Sequence, residues 1–230
     1  MSKTTPSGAK VTLIKDGPIQ VEGTLPMARV TIGVDSRGES EAWVHGDPVA
    51  APDPCLLCRC GQSGEKPFCD GSHKRTRFHG TETASRETFK DQATFTEGPS
   101  MSLMDTESLC AFARFCDPHG QVWGQVHLTT RPGVRDQFIQ QTCDCPSGRL
   151  VAVDNATGQP VEPFFEPSIR FIDDPAQGCA GPIWLRGGVQ VVGADGYNYE
   201  VRNRVTLRRC GASKNKPFCD GTHAAIGFQD

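Results

Sequence analysis

Eleven cysteines lie in this chain of 230 residues, and most stand in groups whose spacing could grip a metal. Cys58-Arg59-Cys60 places two thiols one residue apart. In extended backbone, side chains at i and i+2 point the same way, so these two can reach one metal ion together. Downstream, Cys69-Asp70-Gly71-Ser72-His73 adds a third sulfur and an imidazole. Pro67 stiffens the return of the chain toward Cys69. Asp70-Gly71 reads as a turn, and Asp70 is expected to cap a short helix that carries His73. Cys69 and His73 could then meet at a second metal ion. The helix start would also turn amide N–H groups and a positive dipole end toward an anionic group.

Aligned with itself at an offset of 150, the chain repeats this segment. Cys60-Gly-Gln-Ser-Gly-Glu-Lys-Pro-Phe-Cys-Asp-Gly-Ser-His73 lies over Cys210-Gly-Ala-Ser-Lys-Asn-Lys-Pro-Phe-Cys-Asp-Gly-Thr-His223, and Phe78 lies over Phe228. Each copy follows a Gly-Pro-Ile segment, Gly17-Pro18-Ile19 or Gly181-Pro182-Ile183. The apolar stretches Val30–Val34 and Val189–Val192 read as strands. The repeat also weighs two metal readings against each other. Cys55-x2-Cys58 with His73-x5-His79 looks superficially like a Cys2His2 zinc finger. The second copy has Val205 and Gln229 opposite Cys55 and His79, so the shared core is Cys/Cys/His.

On these residues the chain resembles the CDGSH iron–sulfur proteins, the mitoNEET-like family. Their pattern is Cys-x-Cys-x2-Ser/Thr-x3-Pro-x-Cys-Asp-Gly-Ser/Ala/Thr-His. Cys58, Cys60, Ser63, Pro67, Cys69, Asp70, Gly71, Ser72 and His73 fill every position. The resemblance implies a [2Fe–2S] cluster on Cys58, Cys60, Cys69 and His73, within a small β-rich fold. A histidine in place of a thiolate removes one negative charge, so reduction is less opposed than in an all-cysteine site, as in Rieske centres. An imidazole can also exchange a proton near neutral pH. Proton-coupled electron transfer is the expectation, with cluster loss in acid starting at His73.

The second copy departs from the pattern: Arg208 stands opposite Cys58, and arginine stays protonated and does not ligate iron. Cys210, Cys219 and His223 remain, supported by Ser213, Pro217, Asp220 and Gly221. Three ligands leave several outcomes open. The site is structural and empty, or takes zinc or a single iron completed by water, or holds a second [2Fe–2S] cluster completed by another group such as Cys179.

Between the copies lies a different pattern, Cys110-x5-Cys116 and then Cys143-Asp-Cys145-Pro146. Two distant parts ending in Cys-Pro resemble small single-cluster ferredoxins. That resemblance implies a [3Fe–4S] or [4Fe–4S] cluster on Cys110, Cys116 and Cys145, with Cys143 an ambiguous fourth. Against it stands the reading of Asp105–Cys116 as a helix capped by Asp105, with Leu109, Phe112, Ala113 and Cys116 on one side. Cys110 and Cys116 would then lie about 120° apart around the helix. The plain alternative is that these thiols pack as small buried hydrophobes.

The elements that must position these donors are short. Hydrophobic residues make up 37% of the chain, while 25 glycines and 17 prolines favour strands, turns and loops over long helices. The expected fold is α+β and β-rich, arranged as unit, insert, unit. A first CDGSH-type unit covers 11–80, a ferredoxin-like insert 100–157 and a second unit 176–230. Polar linkers are expected over 81–100 and 158–175. Each unit is too small to bury much core alone, and single-motif members of the family commonly pair. An intrachain pseudo-dimer is therefore expected. Trp43, Trp123 and Trp184 read as fillers of small cores.

Net charge is −3 with both signs interspersed, which argues against a nucleic-acid partner. The polar segment Met1 to Lys10 shows no export signal, and no apolar stretch approaches the length of a bilayer span. A cytoplasmic protein without a membrane partner is expected, because grouped thiols in a reducing compartment point to metal. No nucleophile with a base and orienting group is visible, so the expectation is an electron carrier or redox sensor and not an enzyme. Lys66, Lys74 and Lys216 beside the motifs could receive an acidic redox partner protein. The rival readings are a zinc-stabilised interaction module and a cluster-carrying component of an oxidoreductase complex.

Overall fold

The structure is a computed structural model that describes residues 9–230; all but the last two residues of the polar N-terminal segment lie outside the described residues. The first half of the chain forms β1 (Lys10–Leu13), β2 (Ile19–Glu22), β3 (Met27–Val34), β4 (Ser40–Pro48), β5 (Leu56–Leu57) and α1 (Ser72–Arg75). The middle forms α2 (Phe89–Gln92), β6 (Thr94–Thr96), β7 (Met101–Asp105), α3 (Val122–Gln125), α4 (Val134–Cys143), β8 (Leu150–Asp154) and β9 (Gln159–Val161). The last third forms β10 (Ser168–Asp174), β11 (Cys179–Arg186), β12 (Gln190–Val192), β13 (Arg204–Leu207) and α5 (Thr222–Ala225). The strand-rich α+β class expected from composition is what the chain adopts.

Two sheets draw strands from both halves of the repeat. One runs β12-β1-β2-β5 and the other β13-β11-β10-β3-β4. β12, from the second half, lies parallel to β1, with Val11 opposite Val191. β3, from the first half, lies parallel to β10, with Val30 opposite Ile172. One core results: Val11, Leu13, Ile19 and Leu57 pack with Ile183, Leu185, Val191 and Leu207. β11 is buried along nearly its whole length, so it lacks the polar alternation of a half-exposed strand.

The insert forms its own antiparallel sheet, β6-β7-β8-β9. Met101, Leu103, Leu150 and Ala152 on that sheet pack against Val122 and Val126 near α3 and Phe138 of α4. Two anchors fix it to the rest. Fully buried Arg204 donates to the carbonyls of Thr142, Cys145 and Leu150 and pairs with Glu162. Trp43, Phe115 and Trp184 stack with ring centroids 4.7 and 4.8 Å apart. Trp123 instead donates from Nε1 to Asp105 at 2.9 Å.

Three expectations give way here. Asp105–Cys116 is not a helix: one 3-10 turn, Glu107–Leu109, is followed by irregular backbone with positive φ at Phe112 and Arg114. Asp105 cannot cap because Arg149 and Trp123 occupy its carboxylate. The apolar residues also serve different cores, Leu109 the main one and Ala113 and Phe115 that of Trp184. The segment 158–175 is not a linker, since it contains β9 and the internal strand β10. Ile169, Phe171 and Ile172 are buried on both faces, which erased the period-two signal of a strand. The segment 81–100 carries α2 and β6, and the backbone N–H groups of Thr83 and Ala84 donate to Lys216 of the second motif.

Candidate metal centre

In the first motif the chain folds back on itself. Leu57 bridges Phe68, Cys58 N–H donates to Pro67 at 2.9 Å, and Cys69 N–H donates to Leu56 at 2.9 Å. Cys58 therefore emerges beside Cys69. Ser63 locks the loop between them: its hydroxyl donates to the Phe68 carbonyl and accepts from the Glu65 amide. Gly71 supplies a φ of +86° at the entry to α1, a conformation that favours glycine. Asp70 is not the N-cap residue itself; from one position earlier its carboxylate accepts from the amides of Ser72 and Gly64, both at 2.9 Å. Those amides hold the Asp70 carboxyl well below the usual carboxylate range.

The donors stand in two pairs. The sulfurs of Cys58 and Cys60 are 3.7 Å apart, and Cys69 Sγ is 3.3 Å from His73 Nδ1. With metal–sulfur bonds of about 2.3 Å and metal–nitrogen bonds of about 2.0 Å, donors sharing one tetrahedral ion stand about 3.8 Å apart for S/S and about 3.5 Å for S/N. Both pairs match that geometry, and Cys58 lies close enough to Cys69 to add to the rise that burial gives its thiol. Each pair fits one tetrahedral ion, and among the described residues no group of three or more His, Cys, Asp or Glu side chains is placed to hold a single ion. Burial pushes the Cys60 thiol up to about 11 and raises Cys69, so metal binding there must displace protons.

The second motif reproduces the scaffold. Leu207 bridges Phe218, Arg208 N–H donates to Pro217 at 3.0 Å, and Ser213 holds Phe218 as Ser63 holds Phe68. Cys219 Sγ and His223 Nδ1 are again 3.3 Å apart. Asp220 accepts from the amides of Lys214 and Thr222. The other pair is broken, since Arg208 leaves Cys210 without a partner sulfur. Cys179 does not restore it. Its strand neighbour Ala180 packs against Cys210, so Cys179 points to the opposite face, toward the charges of Asp174 and Arg114.

The two centres differ in exposure. His73 is half-exposed, while His223 is buried, and burial together with the Arg209 charge pulls its imidazole down to about 4. The insert is the cause. A methyl group on Gly221 would stand 3.1 Å from Phe112 Cβ, whereas one on Gly71 would meet nothing within 4 Å. Asn215 also donates to Ser108 at 2.7 Å. The two motifs touch at Cys60-Gly61 and Cys210-Gly211, where each glycine faces the other motif's cysteine carbonyl with no space for a Cβ.

In the insert, Cys110, Cys116 and Cys145 line one narrow cavity with Pro146 and Arg149. Unwinding of the expected helix is what lets Cys110 and Cys116 face the same side. Cys143 is not with them; its thiol turns to the Val161 carbonyl. Cys110 also reaches the second motif through its backbone, with its carbonyl against Gly221.

Sequence reasoning missed Arg59 and Arg209, which lie over each other in the repeat. Arg59 is 1% exposed and donates to the carbonyls of Ile14, Gly17 and Gly80. Arg209 donates to Gly181 and Ile172 and pairs with Asp230. Each pins its cysteine loop to the Gly-Pro-Ile segment of the same unit. The signal was present in the alignment of Cys-Arg-Cys over Arg-Arg-Cys.

Residues 16–74 and 180–224, a little under half of the chain, match a protein-family model described as the iron-binding zinc finger of CDGSH type. Comparisons with curated proteins and with solved structures give no match.

Proposed function

We propose that this chain, in which residues 16–74 and 180–224 match the CDGSH-type iron-binding family, is an iron–sulfur electron carrier or redox sensor, not an enzyme. Cys58, Cys60, Cys69 and His73 would hold a [2Fe–2S] cluster. The observation that carries this reading is the pair geometry: two donor pairs, each spaced for one tetrahedral ion, built on one short loop. When bound, such a cluster supplies a one-electron couple. Cys58 and Cys60 hold their side in the buried interior, and His73 stands at the solvent side.

Around His73 the chain exposes Lys74, Arg75 and Arg77, where the second motif has Ala224, Ala225 and Gly227. This basic rim supports docking of an acidic redox partner protein at the first motif, extending the role expected of Lys66 and Lys74. The reciprocal pairing of β1 with β12 and of β3 with β10 supports reading the two units as an intrachain pseudo-dimer. Eleven free thiols suit a reducing compartment, in this reading the cytoplasm. Among the described residues, no helix is long and apolar enough to cross a membrane.

The placement of Cys110, Cys116 and Cys145 around one cavity supports a further cluster in the insert, and not a single ion, since among the described residues no three such side chains are grouped to hold one. With Cys143 turned away, three thiols suit [3Fe–4S], and a [4Fe–4S] cluster would need a fourth ligand from outside the cysteines.

The deciding experiment is iron, sulfide and zinc per chain on anaerobically purified protein, with visible and EPR spectra of both redox states. About two irons with a Cys3His-type [2Fe–2S] spectrum is the expected contribution of the first motif. An added [3Fe–4S] or [4Fe–4S] signal would come from the insert. A colourless protein that keeps zinc after iron–sulfur reconstitution would overturn the proposal.

A further inference from the structure

Arg208 is 1% exposed and stands where the first motif has Cys58. Its Nη1 donates to the Gly211 carbonyl at 2.6 Å, while its Nε and Nη2 are buried with no acceptor. The guanidinium carbon lies 4.8 Å from the centre of the Phe78 ring, across in the first unit, and Arg59 lies 5.5 Å from the same ring. A buried cation with two unmet N–H groups beside a second cation is costly unless an anion answers it. Among the described residues, no carboxylate pairs with it. After Arg59, the groups within electrostatic reach of Arg208 are Cys210, Cys60 and Asp220. Gly211, which it holds, is packed against the Cys60 carbonyl.

We propose that Arg208 is a positioning residue for the first motif's centre: its fixed charge, held at the seam where Gly211 packs on the Cys60 carbonyl, favours the reduced state of a [2Fe–2S] cluster on Cys58, Cys60, Cys69 and His73. The inference rests on the [2Fe–2S] reading above. Reduction adds one electron, which dithionite supplies in a titration, and the added negative charge is stabilised by a cation buried nearby where water does not screen it. The second motif is then more than a disabled copy. Where the first motif has the ligand Cys58, the second has a charge that acts on the other half of the molecule. Solvent-exposed lysines would not do this, because water and salt screen them.

The test is a dithionite redox titration, followed by visible absorption and EPR, of the full chain with Arg208→Met and Arg208→Lys. Arg208→Met is expected to disfavour reduction of the first centre about tenfold, a downward shift of about 59 mV for one electron, at unchanged iron content. Arg208→Lys is expected to recover most of that shift. An intact [2Fe–2S] spectrum with wild-type potential in Arg208→Met would overturn the inference, as would equal potentials for the Met and Lys variants. If Arg208→Met does not fold, Arg208→Gln replaces it in the comparison with Arg208→Lys, and equal potentials again overturn the role of charge. Wild-type protein without a [2Fe–2S] spectrum would overturn the cluster reading itself, and is recognised before any variant is made.

Discussion

The donors of the first motif hold their spacing through backbone contacts, not through one another. Cys58 and Cys69 are placed by ladder bonds to Pro67 and Leu56, and His73 by a helix whose first amide is satisfied by Asp70. Single substitutions should therefore change the chemistry while leaving the scaffold. His73→Cys replaces a neutral ligand that can take a proton with a thiolate. We expect a lower reduction potential and slower loss of visible absorbance below pH 6; a variant that bleaches with the wild-type pH profile would sink the assignment of His73. Arg208→Cys restores the missing sulfur on a backbone already held by Pro217. Iron from the two motifs should rise from about two to about four per chain, with the added spectrum again Cys3His-type. No gain in iron would mean that the buried pocket around Cys219 and His223 admits no cluster.

Among the elements, the longest helix carries a charge conflict. Asp144 follows α4 and sits at its C-terminal end, where the helix dipole disfavours a carboxylate. Burial also raises its carboxyl above the ordinary range. A raised folded-state value means that folding shifts the carboxyl toward its neutral form. The stability it contributes is present below the unfolded value near 4 and is lost as pH rises through the folded one. Asp144→Asn keeps an acceptor for Gln140 without the charge. Urea unfolding should show the variant about 0.5–1 kcal/mol more stable at pH 7, with the difference gone near pH 3. An unchanged midpoint at pH 7 would show that Arg204 nearby already neutralises the group.

At the scale of the molecule, neither repeat unit owns its sheets. β3 relies on β10, and β1 on β12, so each unit covers apolar surface of the other. Val11, Ile19, Val30 and Ile32 are nearly solvent-free in this arrangement. Exposing such side chains costs about 1.5–3 kcal/mol each, so the four together amount to the whole net stability of a small domain. A fragment of residues 9–80 should be unfolded by circular dichroism or should dimerise in size-exclusion chromatography with light scattering. A folded monomer with a cooperative transition would contradict interdependence of the units.

The sequence by itself determined the donor residues of the first motif and the existence of the second. Ligand type, spacing and the turn residues around them are local, and local geometry follows from backbone alternation and φ preferences. It also exposed the broken pair at Arg208, because a repeat shows its own exceptions. Only the tertiary structure decided the rest. It exchanged strands between the units, since pairing across long separations leaves no periodic trace, and it hid β10 because a strand buried on both faces loses its alternation. It unwound Asp105–Cys116 because Arg149 and Trp123 claimed the capping carboxylate and separate cores claimed the apolar side chains. That unwinding gathered Cys110, Cys116 and Cys145 and laid the loop over Gly221, so that one imidazole faces water and its repeat is sealed. Burial is set by what packs on a residue, and for two nearly identical motifs that lies elsewhere in the chain.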